Sequence, residues 1–249
     1  MEILKIILVV LSAIVPAVVL IWYIRYLDKK QPEPMKKVLI GVLLGVCAAL
    51  LSIFISTLLE RLGFYSSNPV SIGGAVLNAF FGAAIPEELC KLFFLWLLLR
   101  KNKDFDQYMD GVVYSVSIGM GFAGFENILY LTDSFINGEF ILVWVIRALF
   151  AVPGHFVDAV LMGCFYSLYR FSTDKDLKKV YVLHIILAPI LIHGVYDSIA
   201  MSSEFLNSAM TCVLFVLLIL FCICTWRFAQ KRIAKIASLD NTKFLTSAS

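Results

Sequence analysis

Residues 72–99 read IGGAVLNAFFGAAIPEELCKLFFLWLLL. The run is long enough to cross a bilayer as a helix, which takes about 20 residues at about 1.5 Å each. Yet it holds Pro86-Glu87-Glu88-Leu89-Cys90-Lys91, with two carboxylates and an amine inside five residues. An ionisable group at bilayer depth costs about 2.5–3.5 kcal/mol on insertion scales, so such groups are rare and tend to be functional. Here there are three.

The rest of the chain is equally apolar. Of its 249 residues 61% are hydrophobic and 16% charged, against about 45–50% and about 25% in soluble domains. Apolar stretches at roughly 3–25, 37–59, 72–99, 111–131, 140–169, 180–200 and 206–228 predict an all-α, polytopic membrane helix bundle of about seven transmembrane helices. The first run, Ile3 to Ile24, exceeds the usual signal-peptide core of about 7–15 residues, and its positive charges follow it. It is expected to stay as a helix. Residues 1–232 then form one transmembrane domain, with its catalytic centre on spans within 72–200, and 233–249 a short cytoplasmic tail.

Lysine and arginine set the orientation. They crowd the first loop (Arg25, Lys29, Lys30, Lys36, Lys37), the third (Arg100, Lys101, Lys103), the fifth (Arg170, Lys175, Lys178, Lys179) and the tail. The second loop has only Arg61, and the fourth and sixth have neither residue. The positive-inside rule therefore puts the C-terminus in the cytoplasm and the N-terminus outside. These short basic loops form no single footprint, which argues against a nucleic-acid partner. All six cysteines lie in apolar segments without paired zinc-type spacing, as small core residues do. Gly41, Gly45 and Ala49, and Ser115, Gly119 and Ala123, recur every four residues and predict close helix packing.

Within the spans the ionisable set is short: Glu87, Glu88, Lys91, Glu126, Arg147, His155, Asp158, His193 and Asp197, with Asn78 and Asn127 as neutral companions. Spans three to six supply all of them, and spans one, two and seven read as scaffold. The spacings are helical. Lys91 follows Glu88 by three residues and Glu87 by four, so its amine can lie against either carboxylate. His193 and Asp197 are four apart, and His155 and Asp158 three apart, each pair on one helix face. Two glutamates sharing one lysine are inequivalent: one serves as an ion-pair partner, the other as a general base. Counted in from the helix ends, Glu126 and His193 fall in the outer half, while His155 and Glu88 come out nearer the middle. A later start to span three, or a bend at Pro86 or Pro153, closes that gap. A cavity open to the outside or outer leaflet is expected.

Glu87-Glu88-x-x-Lys91, Phe122-x-x-x-Glu126-Asn127, Pro153-Gly154-His155 and His193-x-x-x-Asp197 together resemble the PrsW family of intramembrane proteases. More distantly the pattern is similar to the CAAX prenyl proteases and their bacterial relatives. Those carry arginine in place of Lys91, usually histidine in place of Glu126, and commonly asparagine in place of Asp197. The resemblance implies an endopeptidase of the bacterial plasma membrane acting on a membrane-anchored protein, namely site-1 cleavage of an anti-sigma factor in a stress response. Its catalytic residues are then Glu87, Glu88, Glu126, His155, His193 and Asp197, with Lys91, Asn127, Arg147 and Asp158 in support.

Two mechanisms stay open. In one, Glu126, His155 and His193 hold Zn²⁺ and Glu87 or Glu88 deprotonates its water, with Asp197 orienting His193 or completing the ligand set. In the other, a glutamate activates water without metal, and His193 with Asp197 stabilises the oxyanion. The extra carboxylate at position 126 favours a cation. A proton- or ion-coupled transporter or channel is the rival class, since chains of Asp, Glu and His also relay protons, but the halves of the chain show no inverted repeat.

Overall fold

In the computed structural model, which describes the backbone of residues 2–247 and the side chains of residues 3–241, the chain is helical almost throughout. Helices α1 (Glu2–Leu27) and α2 (Met35–Arg61) are joined by a short loop, where Pro34 leads into α2 with its φ already set for a helix start. Helix α3 (Ile72–Leu77) is capped by Ser71, whose Oγ accepts from the Gly74 N–H at 3.2 Å. It runs through a π-helical segment, Asn78–Ala84, into α4 (Ile85–Leu99). Helix α5 (Tyr108–Asn137) stops at Gly138, whose φ of 81° is the left-handed value that glycine adopts freely. Helix α6 (Phe140–Ile146) passes through a second π-helical segment, Arg147–Ala151, into α7 (Val152–Phe171). Helix α8 (Lys175–Ser202) is capped by Asp174, and α9 (Ser208–Ser247) follows a 3₁₀ turn at Ser203–Phe205. Among the described residues there is no strand.

The polytopic bundle expected from the sequence is present. Six helical runs are long and apolar enough to cross a membrane: Ile3–Leu27, Met35–Arg61, Tyr108–Asn137, Phe140–Phe171, Lys175–Phe205 and Ser208–Asn241. The seventh expected span is the continuous α3–α4 run. It carries Glu87, Glu88 and Lys91 and is less apolar for it.

Helix α5 is the axis of the bundle, for every residue from Met109 to Gly124 is buried. Such burial demands close neighbours, and small residues supply the room. A Cβ on Gly45 would collide with the Ile118 carbonyl of α5, and one on Gly121 with the Val42 carbonyl of α2. On the other flank Gly163 of α7 meets the Gly111 backbone. Of the expected small-residue stripes, Gly41 and Gly45 face α5, and Gly119 faces Ala159 of α7.

At 40 residues α9 spans about 60 Å, twice the thickness of a bilayer core. Its distal turns carry what the sequence reads as a tail at 233–249. Ile233 and Ile236 join the core around Met109 and Val112. Asp240 then accepts from the N–H groups of Tyr108 and Met109 at 2.8 and 2.9 Å, capping α5 from the far end of the chain. Residues 248 and 249 lie outside the described residues.

Both π-helical segments directly precede a proline, Pro86 at the second residue of α4 and Pro153 at the second residue of α7. Proline lacks an N–H and its ring crowds the carbonyl a turn earlier. A wider turn relieves both problems, and such turns recur at functional sites. These two bring the α4 carboxylates and His155 to face α5 and α8.

Candidate active site

Lys91 is the hub of the intramembrane polar residues. Its ammonium donates to Glu88 Oε1 at 2.7 Å and to His155 Nδ1 at 3.1 Å, and lies 3.5 Å from Glu87 Oε2. The ring of Phe122, on α5, caps it at 4.0 Å from the centroid. With Nδ1 accepting from an ammonium, the proton of His155 sits on Nε2, which donates to Glu126 Oε2 at 2.8 Å. The same carboxylate oxygen accepts from Arg147 Nη2 at 2.7 Å, while Arg147 Nε donates to Asn127 Oδ1 at 2.6 Å. Asn127 in turn donates to the Ala13 carbonyl of α1 at 3.3 Å, so a helix that supplies no ionisable residue to the cluster still anchors it.

From α8, His193 reaches the same place. Its Nδ1 lies 2.8 Å from Glu88 Oε1 and its Nε2 3.2 Å from Asp197 Oδ2. Both nitrogens face carboxylates, so the ring donates through both or gives one to a cation. The two imidazoles meet edge to face, with centroids 5.1 Å apart. Gly194 makes this approach feasible, since a Cβ there would collide with the Phe80 ring of the first π-helical segment. Asp158 lies 3.9 Å from His193 Nδ1, with its other oxygen buried and unpaired.

The structure thus gathers every candidate residue except Asn78, whose Oδ1 instead packs at Gly82 within its own turn. The glutamates differ in surroundings. Glu88 is 1% exposed and its Oε1 is shared between Lys91 and His193. Glu87 lines a cavity of about 570 Å³ together with Glu126, His155, His193 and Asp197. Three elements the sequence reading left out complete that cavity. Tyr130, one turn from Glu126, stacks on the Arg147 guanidinium at 4.0 Å. Tyr196 lies between the two polar residues of α8. Helix α9, read as scaffold, supplies an apolar wall that includes Ile219, Cys222 and Trp226. The i, i+4 spacing of Tyr130 was available as a signal. The α9 wall was not, because an apolar residue facing a cavity reads like one facing lipid.

A protein-family model described as PrsW family intramembrane metalloprotease matches residues 33–224, which hold this whole cluster. The chain belongs to the PrsW family. It is 30% identical over 232 residues to Protease PrsW of Bacillus subtilis, covering 93% of this chain and 97% of that one. It is 34% identical over 191 residues to Protease PrsW of Oceanobacillus iheyensis, covering 76% and 82%. For Protease PrsW of Clostridioides difficile the identity is 31% over 191 residues, covering 77% and 78%. No solved structure matches it. As a PrsW protein the chain is a multi-pass membrane protease that hydrolyses peptide bonds.

The PrsW description includes a metal, and the donors present fit one. Ligand atoms of Glu87, Glu88, His155 and His193 all lie within 4.8 Å of one another and are buried. Glu87 Oε2 and Glu88 Oε2 are buried with no hydrogen-bond partner. The site's five carboxylates (Glu87, Glu88, Glu126, Asp158, Asp197) face two fixed cations, Lys91 and Arg147. This foursome shares both histidines with the ligand set expected from the sequence. Glu126 lies behind it, on the far nitrogen of His155 and against Arg147.

Proposed function

We propose that this PrsW protein cleaves a single-span, membrane-anchored protein near the outer face of the membrane, with Glu87 as general base. The observation carrying the reading is the convergence of Glu87, Glu88, His155 and His193 donor atoms within 4.8 Å, three of these residues lining a cavity that α9 closes with an apolar wall. A peptide bond entering that cavity meets Glu87, whereas Glu88 is committed to Lys91 and His193. Family resemblance adds the substrate class, an anti-sigma factor. The charges of the loops add the orientation, with the N-terminus outside and the Ser202 end of α8, nine residues beyond His193, toward the outer face.

Glu88, His155 and His193 would hold the ion, with Glu87 beside it as the base, and zinc suits these nitrogen and oxygen donors. What such an ion supplies is a water whose pKa falls to about 7 and a positive charge beside the scissile carbonyl. Glu87 takes the proton as the water oxygen bonds to the carbonyl carbon. It then passes that proton to the amide nitrogen as the carbon–nitrogen bond breaks. Asp197 holds the His193 ring from Nε2, and Glu126 holds the His155 ring from its own Nε2, fixed in turn by Arg147. Carboxylates placed this way orient metal-bound imidazoles.

One observation favours a second, metal-free form. Lys91 Nζ reaches three of the four donor residues, so an ammonium already supplies positive charge among them. In that form Glu87 activates water directly and His193, held by Asp197, donates to the carbonyl oxygen.

The test is cleavage of a tagged single-span substrate by purified Glu87→Ala, Glu88→Ala, Glu126→Ala, His155→Ala and His193→Ala variants, with and without chelator. All five are expected to be inactive. Full cleavage by all five would end the reading, and a proton flux in liposomes would favour the transporter.

A further inference from the structure

A second crevice lies at the opposite, basic end of the bundle. It measures about 490 Å³ between α7, α8 and α9 and touches none of the catalytic residues. Its walls are apolar and aromatic, with Phe165 and Leu168 from α7, Leu177 and Tyr181 from α8, and Ile236 and Leu239 from α9. Two cations, Arg232 and Lys235 of α9, also line it. From this pairing we infer that the crevice binds the phosphate headgroup of an anionic phospholipid.

Arg232 is the anchor. Its guanidinium sits between two rings, 5.5 Å from the Phe165 centroid and 4.8 Å from that of Phe228. Among the described residues neither Arg232 nor Lys235 makes an ion pair. The acidic side chain that lines the crevice, Asp174, is already engaged, accepting from the Asp176 and Leu177 N–H groups at 2.8 and 3.1 Å as the cap of α8. A guanidinium flanked by rings and paired with no carboxylate presents its fork to a phosphate, and a nearby lysine adds a mobile charge.

Position separates a lipid from a free anion. The crevice spans the α7–α8 connection at Ser172–Asp174, beside Arg170, Lys175, Lys178 and Lys179, where these helices leave the membrane. Its aromatic and aliphatic walls have nothing to offer inorganic phosphate but can hold the glycerol and upper acyl carbons of a lipid. Basic pockets between helices at this level are where acidic headgroups bind.

The experiment uses the full chain in neutral detergent, titrated with short-chain phosphatidylglycerol, phosphatidylcholine of the same chain length, or inorganic phosphate, while the thermal unfolding midpoint is followed. A ligand that binds only the folded state raises that midpoint. Phosphatidylglycerol is expected to raise it by several degrees, and the other two to leave it in place. Arg232→Gln/Lys235→Gln should weaken the apparent affinity at least about tenfold. Lys235 is exposed, so Lys235→Gln alone leaves the fold intact and should weaken it about threefold or more. An unchanged phosphatidylglycerol response in Lys235→Gln and the double variant overturns the proposal. So does an equal response to phosphatidylcholine, or the full response to inorganic phosphate alone. None of these readouts depends on proteolysis.

Discussion

Lys91 Nζ lies 2.7 Å from Glu88 Oε1 but 3.5 Å from Glu87 Oε2, so one ammonium divides two adjacent glutamates into a bound carboxylate and an available one. Glu87→Gln is therefore expected to lower kcat by about 10²–10⁴ with little change in the thermal unfolding midpoint, the range for losing a general base. Glu88→Gln and Lys91→Met each break a buried pair, at about 3–5 kcal/mol, and should lower that midpoint as well as activity. Combining the two should recover part of the stability but none of the activity. The opposite pattern, with Glu88→Gln fully folded and dead and Glu87→Gln active, would move the base to Glu88.

Metal content separates the two arrangements of ligands. If Glu88, His155 and His193 hold the ion with Glu87 as base, His155→Ala and His193→Ala should purify without it. Glu126→Gln, which alters the partner of the His155 Nε2 and of Arg147 but none of these donors, should keep it with about 10–100-fold weaker affinity. Elemental analysis and a chelator titration measure both. Loss of the ion in Glu126→Gln as complete as in His155→Ala would make Glu126 a direct ligand. Wild-type protein that contains no metal and ignores chelators would leave the metal-free form with Lys91 as the site's cation.

The sequence revealed much of this site because charge is expensive in a membrane, so each Glu, Lys, His and Asp of the cluster stood out against an apolar background. Helical spacing then paired Glu88 with Lys91 and His193 with Asp197, and both pairs exist. Contacts between helices were out of reach. Nothing in the spacing tells that Glu126 meets Arg147, or that Asn127 reaches back to α1. The depth difference between His155 and His193 also had no answer in residue counting. A π-helical segment before Pro153 changes the phase of its helix, and periodicity analysis assumes a constant 3.6 residues per turn. The stretch read as a tail continues α9 instead, and Ile233, Ile236 and Asp240 dock it on α5.

That docking point carries a pH dependence. Asp28, just past the end of α1, is buried with Oδ2 unpaired, and burial together with the nearby Glu33 and Asp240 carboxylates pushes its pKa up to about 7. Arg25 opposes the shift without cancelling it. The folded protein thus holds a proton that the unfolded chain loses near pH 4. The contribution to stability is complete below that value and disappears as pH rises through about 7. Asp28→Asn should flatten this decline and raise the stability at pH 8 by about 1–2 kcal/mol, after allowance for screening by water. Thermal unfolding of both proteins from pH 5 to pH 8 gives the comparison. Parallel curves would show that Asp28 is not the titrating group.

The cavity also makes a claim about how substrate arrives. Helix α6 buries none of its side chains fully, and the segment after it lines the cavity with Leu149 and Phe150, opposite the α9 wall. Phe150 bridges to α9 through an edge-on contact with Phe215, their centroids 6.2 Å apart. An apolar seam closed by one ring pair is the cheapest place for the bundle to part, since, among the described residues, the polar contacts of the α6 side run to α5 and not to α9. Phe150→Cys with Phe215→Cys, in a background where Cys47, Cys212, Cys222 and Cys224 are serine, permits this seam to be pinned with a cleavable bifunctional thiol reagent. Pinned enzyme is expected to lose at least about nine-tenths of its activity on a single-span substrate, and cutting the linker should restore it. Phe150→Ala should raise kcat/KM about two- to fivefold by removing the ring that must move. If the pinned enzyme cleaves at the rate of the unpinned one, the substrate enters by another route, from the aqueous end of the cavity rather than between α6 and α9.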